Sequence, residues 1–189
     1  GYKAHMMNHG GWWTFDFGRV KMVAAVHSST FNDGAPGGNP AGFVLSNDDI
    51  RRSGATTLPD ALRLVPGMQV AAIDANTWAV SARGFNHEFA TKLLVMIDGR
   101  AVYSPLFSGV YWDAQQMMLD DVDRIEVIRG PGATVWGANA VNGVVNVISK
   151  TARDTQGGLV YGGGGDVHLA LGGARYGGKI NEDTYYRVY

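Results

Sequence analysis

The sequence predicts an α+β fold: a small mixed sheet with short flanking helices. Two capped helical segments, residues 46–53 and 57–65, precede a series of short strands rich in branched residues. Glycine supplies 27 of the 189 residues, and charged residues make up 17%. Because glycine weakens helix interiors, this composition favours strands and loops over a helical bundle.

Each predicted helix has start and stop signals. Ser46 is positioned to cap the first helix, with Asp49 three residues later, and Gly54 is positioned to end it. The second helix begins with the same kind of cap, and the Pro66-Gly67 pair stops it. The two helices are therefore expected to be short and separate.

Five strands are predicted after the helices, at residues 68–73, 78–83, 93–97, 124–128 and 144–148. We expect these segments to supply most of one compact mixed sheet. Asp98-Gly99 predicts a tight hairpin turn after the third strand. Beyond residue 157, the segments 167–171 and 185–189 are typical of barrel strands, although surface hairpins alternate in the same way.

Composition divides the chain into three parts. Residues 1–45 form an irregular N-terminal segment of uncertain origin, rich in aromatic and turn-forming residues; residues 46–152 are regular, and residues 153–189 are rich in glycine. Apolar runs fall short of the ~20 residues of a membrane helix. No signal peptide is visible in the sequence.

Several kinds of function are disfavoured by composition. The net charge of −1 gives no electrostatic reason to expect nucleic-acid binding. The absence of cysteine excludes disulfides and thiolate chemistry. Residues 130–137 lack the Gly-Lys-Ser/Thr of a nucleotide-binding loop. The histidines lack metal-site spacing, and no catalytic constellation stands out, so we predict no catalytic residue, metal or cofactor.

The most informative stretch is residues 124–150, RIEVIRGPGATVWGANAVNGVVNVISK. A strand ends at Arg129, a Gly-Pro-Gly turn follows, and small residues then allow close backbone approach. Gly143 begins a second apolar strand, which ends before Lys150.

This stretch resembles the hallmark of the plug domain of TonB-dependent outer-membrane receptors. Three earlier segments resemble the family in the same order: DALRLVPGMQV, SARGF and LLVMIDGR, which begin at residues 60, 81 and 93. The resemblance covers about residues 48–152. It implies a plug domain at 46–152, followed at 153–189 by the first strands of an incomplete outer-membrane β-barrel.

The resemblance also implies energy-coupled uptake of a scarce solute, above all a ferric siderophore, without a catalysed step. The plug would close a barrel of about 22 strands in the Gram-negative outer membrane. The implied partners are the TonB protein, the C-terminal barrel that this chain lacks, and the solute. The family's TonB-binding box is not found in residues 1–45, and a chimeric gene is one explanation.

Two groups of site residues follow from the resemblance. Arg83 and Arg129 would lock the plug to acidic residues on the barrel wall, where a planar guanidinium suits a carboxylate. Two loops at the extracellular apex would contact the ligand. Their candidate residues are Asp74, Asn76, Trp78, Tyr103, Phe107, Tyr111 and Trp112. Packing against the barrel wall is the alternative role for the aromatic residues of the second loop.

Two other functions stay open from the sequence. Residues 27–45 are faintly similar to the opening of phenazine-biosynthesis-like isomerases, which would make the chain an isomerase-like enzyme fragment. The other alternative is a free-standing periplasmic binding module with the plug fold.

Overall fold

The computed structural model describes residues 12–16, 21–25, 42–74, 77–84, 86–88, 90–106, 108–164 and 170–189. The chain divides into two compact units, residues 1–41 and residues 42–189. In the first unit, β1 (Trp12–Asp16) pairs antiparallel with β2 (Lys21–Ala25). The expectation of an irregular segment over 1–45 is therefore wrong for these two stretches.

The second unit contains the helices and the remaining strands. The helices are α1 (Asn47–Ser53), α2 (Leu58–Leu62), a 3-10 turn (Leu119–Asp121) and α3 (Ala133–Trp136). The strands are β3 (Gly42–Ser46), β4 (Met68–Ala72), β5 (Trp78–Ala82), β6 (Leu93–Ile97), β7 (Arg100–Ala101), β8 (Val122–Arg129), β9 (Gly143–Ser149), β10 (Gly157–Gly163), β11 (Leu171–Lys179) and β12 (Tyr185–Val188).

The central sheet has five strands in the order β3-β8-β9-β6-β7. β6 and β9 run parallel and the other neighbours run antiparallel, so the sheet is mixed, as predicted. β3 occupies one edge of this sheet, which corrects the expectation that residues 42–45 are irregular.

The five predicted strands do not share one sheet. β4 and β5 pair with each other as a separate two-stranded sheet. All five residues of β5 are buried, because this strand forms part of a layer over the core instead of extending an edge of the central sheet. The expectation of a single sheet is therefore wrong for residues 68–83.

The predicted helix caps are confirmed. The Ser46 hydroxyl accepts a hydrogen bond from the Asp49 amide, and the Asp49 carboxylate accepts one from the Ser46 amide, which completes a capping box. Gly54 ends α1 in the left-handed conformation. The Thr57 hydroxyl accepts from the Asp60 amide in the same way at the start of α2.

The main hydrophobic core lies between one face of the central sheet and a covering layer. That layer consists of Ile50 from α1, the apolar face of α2, and β5. A smaller cluster on the opposite face of the sheet joins Leu94, Met96 and Val144 to the partly buried Trp136 of α3. Both faces of the sheet are therefore covered near its centre.

The last three strands, β10, β11 and β12, form an antiparallel sheet with two unlike faces. One face carries Val160, Tyr176 and Val188, whose exposed fractions are 79%, 59% and 63%. The other face carries Arg175 and Arg187, and both side chains reach the preceding domain. Residues 185–188 form β12 as expected, whereas most of the predicted strand at 167–171 lies outside the described residues.

Within the described part of the chain, no helix has the length and apolar character needed to cross a membrane.

Candidate functional site

Arg129 ends β8 and is buried beneath the turn that follows α2. Arg129 is only 4% exposed to solvent. Nη1 of Arg129 donates a hydrogen bond to the carbonyl oxygen of Pro66. The next residue, Gly67, has φ +80°, and a β-carbon there would meet the Arg129 guanidinium. The Pro66-Gly67 turn therefore leaves the space that the arginine occupies.

Arg83 follows β5 and lies beside Arg129. Its backbone has φ 59°, a left-handed conformation that is uncommon for a residue with a side chain. An ideal β-carbon on Gly130 would lie 3.7 Å from Cζ of Arg83, so the Arg83 guanidinium covers the residue next to Arg129. The structure thus brings together two arginines that the sequence singled out separately.

The two guanidiniums influence each other electrostatically. Burial lowers the pKa of the Arg129 guanidinium, and the positive charge of Arg83 lowers that pKa further. A carboxylate from another part of the protein that approached both guanidiniums would be stabilised by both positive charges. The arrangement can therefore serve as a docking point for an acidic side chain.

Close backbone packing holds this end of the domain together. A β-carbon on Gly143 would lie 2.5 Å from the carbonyl oxygen of Ile128 and 3.6 Å from Cβ of Ala82. β5 therefore approaches the end of β8 and the start of β9 closely at this glycine, which places Arg83 next to Arg129.

The first predicted ligand loop is a turn organised by Asp74. The Asp74 carboxylate accepts hydrogen bonds from the amide of Thr77 at 2.8 Å and from its hydroxyl at 2.9 Å. The pairing of β4 with β5 puts this turn at the opposite end of that hairpin from Arg83. Asn76 lies outside the described residues.

The second predicted loop, residues 103–113, separates its aromatic side chains between surface and core. Tyr111 is 45% exposed and Tyr103 is half-buried, whereas Trp112 is 7% exposed and belongs to the main core. A backbone hydrogen bond of 2.7 Å from Ser104 to Gly109 closes the loop. Phe107 lies outside the described residues.

Trp78 and Trp112, one from each loop region, line a common cavity. The volume of this cavity is about 400 Å³, and its wall also includes residues 56–59 at the start of α2, residues 113 and 115–118, and parts of β10 and β11. Trp78 is 8% exposed, and the Arg63 guanidinium lies over its ring at 5.1 Å. Both tryptophan side chains are therefore largely buried within this domain.

The sequence did not single out a buried charge cluster at the far end of β8. Asp121 is 2% exposed, and its carboxylate faces Arg175 of β11 and Arg187 of β12. Arg175 and Arg187 could have been selected as charged residues among glycines, tyrosines and valines. Their partner could not, because the contact spans 54 positions of sequence.

The comparisons with known proteins decide the family. The model of the TonB-dependent Receptor Plug Domain matches residues 42–144, more than half of the chain. The chain belongs to the TonB-dependent receptor plug family. Its plug domain contains the central sheet, the β4–β5 hairpin and both arginines described above.

Two curated receptors are similar to this plug. The ferric enterobactin receptor of Pseudomonas aeruginosa is 28% identical over an alignment 204 positions long, which covers 98% of this chain and 26% of the receptor. The vitamin B12 transporter of Vibrio vulnificus is 32% identical over 124 residues, which cover 65% of this chain and 20% of the transporter. The chain thus spans about a quarter of the length of these relatives, or less.

Solved structures agree with the fold. The crystal structure of the ferric enterobactin receptor in complex with BCV-L6 matches 78% of this chain with a TM-score of 0.59 and 26% identity, and the match covers 24% of that receptor. The ferric yersiniabactin uptake receptor of Yersinia pestis matches with a TM-score of 0.60 and 20% identity, and this match supports the fold alone. The chain has the fold of a receptor plug followed by the first barrel strands.

A second kind of relative matches a shorter stretch. A metal-dependent hydrolase of Flavobacterium johnsoniae is 52% identical over 68 residues, which cover 35% of this chain and 30% of the hydrolase. Within the described residues, no group of three or more histidines and carboxylates is arranged to hold a metal ion. Residues 27–41, most of the isomerase-like stretch, lie outside the described residues.

Proposed function

We propose that this plug closes the lumen of an outer-membrane receptor and takes part in energy-coupled uptake of a scarce solute. The observation that carries the proposal is the two-faced sheet of β10, β11 and β12. Its polar face turns Arg175 and Arg187 toward the plug, and its apolar face carries Val160, Tyr176 and Val188. Such a sheet suits a barrel wall between lipid and a filled lumen.

The solute in this proposal is a ferric siderophore. The similarity to receptors named for ferric enterobactin supports it, and the similarity to a vitamin B12 transporter makes vitamin B12 the comparison solute. The plug itself would catalyse no chemical step. Its task would be to hold the solute on one side and to be rearranged by TonB from the other.

Within the apex loops, we assign direct ligand contact to the more exposed residues. Tyr111, Tyr103 and Asp74 are accessible or half-buried, and Asn76 and Phe107 belong to the same loops. Aromatic rings and a few polar groups are a common composition for the binding of a large, partly apolar complex. Trp78 and Trp112 would support the loops from the core and line the cavity below them.

Arg83 and Arg129 would form the lock between plug and barrel. Burial and, after it, the positive charge of Arg83 lower the pKa of Arg129, and an acidic side chain of the barrel between the two guanidiniums would offset the repulsion between them. The lock would then depend on a carboxylate that approaches from outside this domain.

The test is transport by the full-length receptor that carries this plug, in a Gram-negative strain without siderophore receptors of its own. We expect uptake of radioactive ferric enterobactin or a related ferric siderophore, and loss of that uptake when TonB is deleted. Uptake of vitamin B12 without uptake of a ferric siderophore would show that the proposed solute is wrong. Uptake that is unchanged without TonB would overturn the energy-coupled mechanism.

A further inference from the structure

Asp121 is a buried carboxylate whose backbone makes two hydrogen bonds to other parts of the chain. It ends the 3-10 turn before β8, and its amide donates to the Met118 carbonyl oxygen at 2.9 Å. Its own carbonyl oxygen accepts from the amide of Lys150 at 2.8 Å. Since Lys150 directly follows β9, Asp121 lies where the start of β8 meets the end of β9.

The two carboxylate oxygens of Asp121 face arginines from two different strands. Nη1 of Arg175 donates to Oδ1, and Nε of Arg187 lies 3.6 Å from Oδ2. Arg175 and Arg187 are themselves largely buried, with side chains that are 12% and 17% exposed. These ion pairs therefore lie away from bulk water, where screening is weak.

A network of hydrogen bonds extends the cluster to the start of α1. Arg187 donates from Nη1 to the Lys150 carbonyl oxygen at 2.9 Å. Nζ of Lys150 in turn donates to Asn47 Oδ1 at 3.0 Å and to the Asp120 carbonyl oxygen at 2.8 Å. The first residue of α1, the segment before β8, the residue after β9, and β12 are thus connected through these hydrogen bonds.

Backbone packing beside the cluster provides independent support for a close attachment. Gly177 lies opposite Arg187 in the β11–β12 register and is buried. A β-carbon on Gly177 would overlap the carbonyl oxygen of Thr155, in the segment that joins β9 to β10. β11 therefore lies directly against this segment, at the level of the two arginines.

We propose that Asp121 is the residue that attaches the first barrel strands to the plug, an inference that rests on the proposed function. The charges are arranged in the opposite way to those of the proposed lock at Arg83 and Arg129. At Asp121 the plug supplies the carboxylate and the barrel strands supply the arginines. It lies at the opposite end of β8 from Arg129. Removing one partner from a buried ion pair leaves an uncompensated charge, so loss of any one of these three charges should weaken the attachment at this end of β8.

The test is hydrogen exchange of the 189-residue chain in detergent solution, with Asp121→Asn and the matched control Asp123→Asn. Asp123 is two positions away, and its side chain is 48% exposed. We expect Asp121→Asn to accelerate amide exchange in β11 and β12 by about tenfold or more while exchange in β9 stays slow. We expect the control to leave both regions unchanged.

Arg175→Gln and Arg187→Gln test the attachment from the strand side. Each should accelerate exchange in β12 and the neighbouring part of β11, and Asp121→Asn combined with Arg175→Gln should add little to either change alone. If Asp121→Asn prevents folding, the arginine variants still decide the question. Unchanged exchange in these variants, or equal acceleration in β9, would overturn the proposal. The measurement uses neither solute nor TonB, so failure of the proposed transport would not change its result.

Discussion

Gly67 and Arg129 fit together so closely that a β-carbon on Gly67 would lie 2.7 Å from Nη1 of Arg129. The arginine reaches the Pro66 carbonyl oxygen through the space that a side chain at residue 67 would fill. The turn after α2 and the end of β8 therefore depend on each other, although they are distant in the sequence.

Gly67→Ala is expected to lower the free energy of unfolding by about 2–4 kcal/mol. One part of this loss is the strain of an alanine in the left-handed backbone conformation at residue 67. The other part is the cost of displacing the Arg129 guanidinium. Gly54→Ala is the control, since Gly54 has a similar φ of +72° but open space around its β-carbon, and it should cost about 1 kcal/mol. Urea denaturation measures both, and equal losses would contradict the close fit.

Arg83→Gln is expected to leave the isolated chain as stable as before, or more stable by a few tenths of a kcal/mol. The variant removes a positive charge that lowers the pKa of Arg129, and Arg83 is exposed, so salt screens the effect. Any gain should disappear in denaturation at high salt. Arg52→Gln, a change at an exposed arginine paired with Asp48, should give no gain. A clear loss of stability for Arg83→Gln would argue against repulsion between the two arginines.

Ser46→Ala is expected to destabilise the chain in a way that depends on pH. The side-chain hydrogen bond from Ser46 is the largest cause that lowers the pKa of Asp49 in the folded state. A lowered folded pKa stabilises the fold above the unfolded pKa of 3.8, and this contribution is lost as pH falls through the lower folded pKa. The stability difference between wild type and Ser46→Ala should therefore shrink in acid.

Thr57→Ala provides the control for that pH dependence. Thr57 caps α2 through its hydroxyl, which accepts from the Asp60 amide at 3.3 Å and does not titrate in this range. Its loss should cost about 1 kcal/mol at neutral pH and persist in acid. Denaturation curves between neutral and acidic pH would distinguish the two caps, and parallel behaviour would refute the assignment to Asp49.

Tyr111→Ala and Trp112→Ala are expected to act differently although the residues are adjacent. Trp112 is part of the core, so its loss should cost about 3–5 kcal/mol of stability. Tyr111 is exposed, so its loss should change stability by less than about 1 kcal/mol but weaken solute binding by the full-length receptor. Isothermal titration of the solute into the two receptor variants Tyr111→Ala and His87→Ala tests the binding effect, because His87 is exposed but lies outside the two apex loops. Equal affinities for Tyr111→Ala and His87→Ala would exclude Tyr111 from the ligand site.

Local signals in the sequence predicted most elements of the plug. The Ser46 cap, the Asp98-Gly99 turn and the strands that begin at residues 68, 78 and 93 all depend on neighbours in sequence. The turn is confirmed by positive φ angles of 50° and 78° at its two residues. Because these preferences act over a few residues, they can be recognised without the tertiary structure.

Long-range pairing accounts for what the sequence did not predict. β3 is five residues long and becomes a strand by pairing with β8, far along the chain, so residues 42–45 gave no local signal. β4 and β5 were recognised as strands, but their separation from the central sheet depends on how the core is covered. Arg83 and Arg129 were selected through resemblance to the family, and their proximity emerged from the structure.

The antiparallel pairing of β3 with β8 also has a mechanical consequence. Gly42 pairs with Ile128 and Ser46 with Arg124, so the N-terminal end of β3 and the Asp121 end of β8 point in opposite directions. A force that draws the chain out from the Gly42 end, against an attachment at Asp121, would load the two strands in shear. Ladder hydrogen bonds lie perpendicular to the strands, so they would bear such a load together rather than one after another. Under tension, β3 would slide past β8 as a unit instead of unzipping from one end.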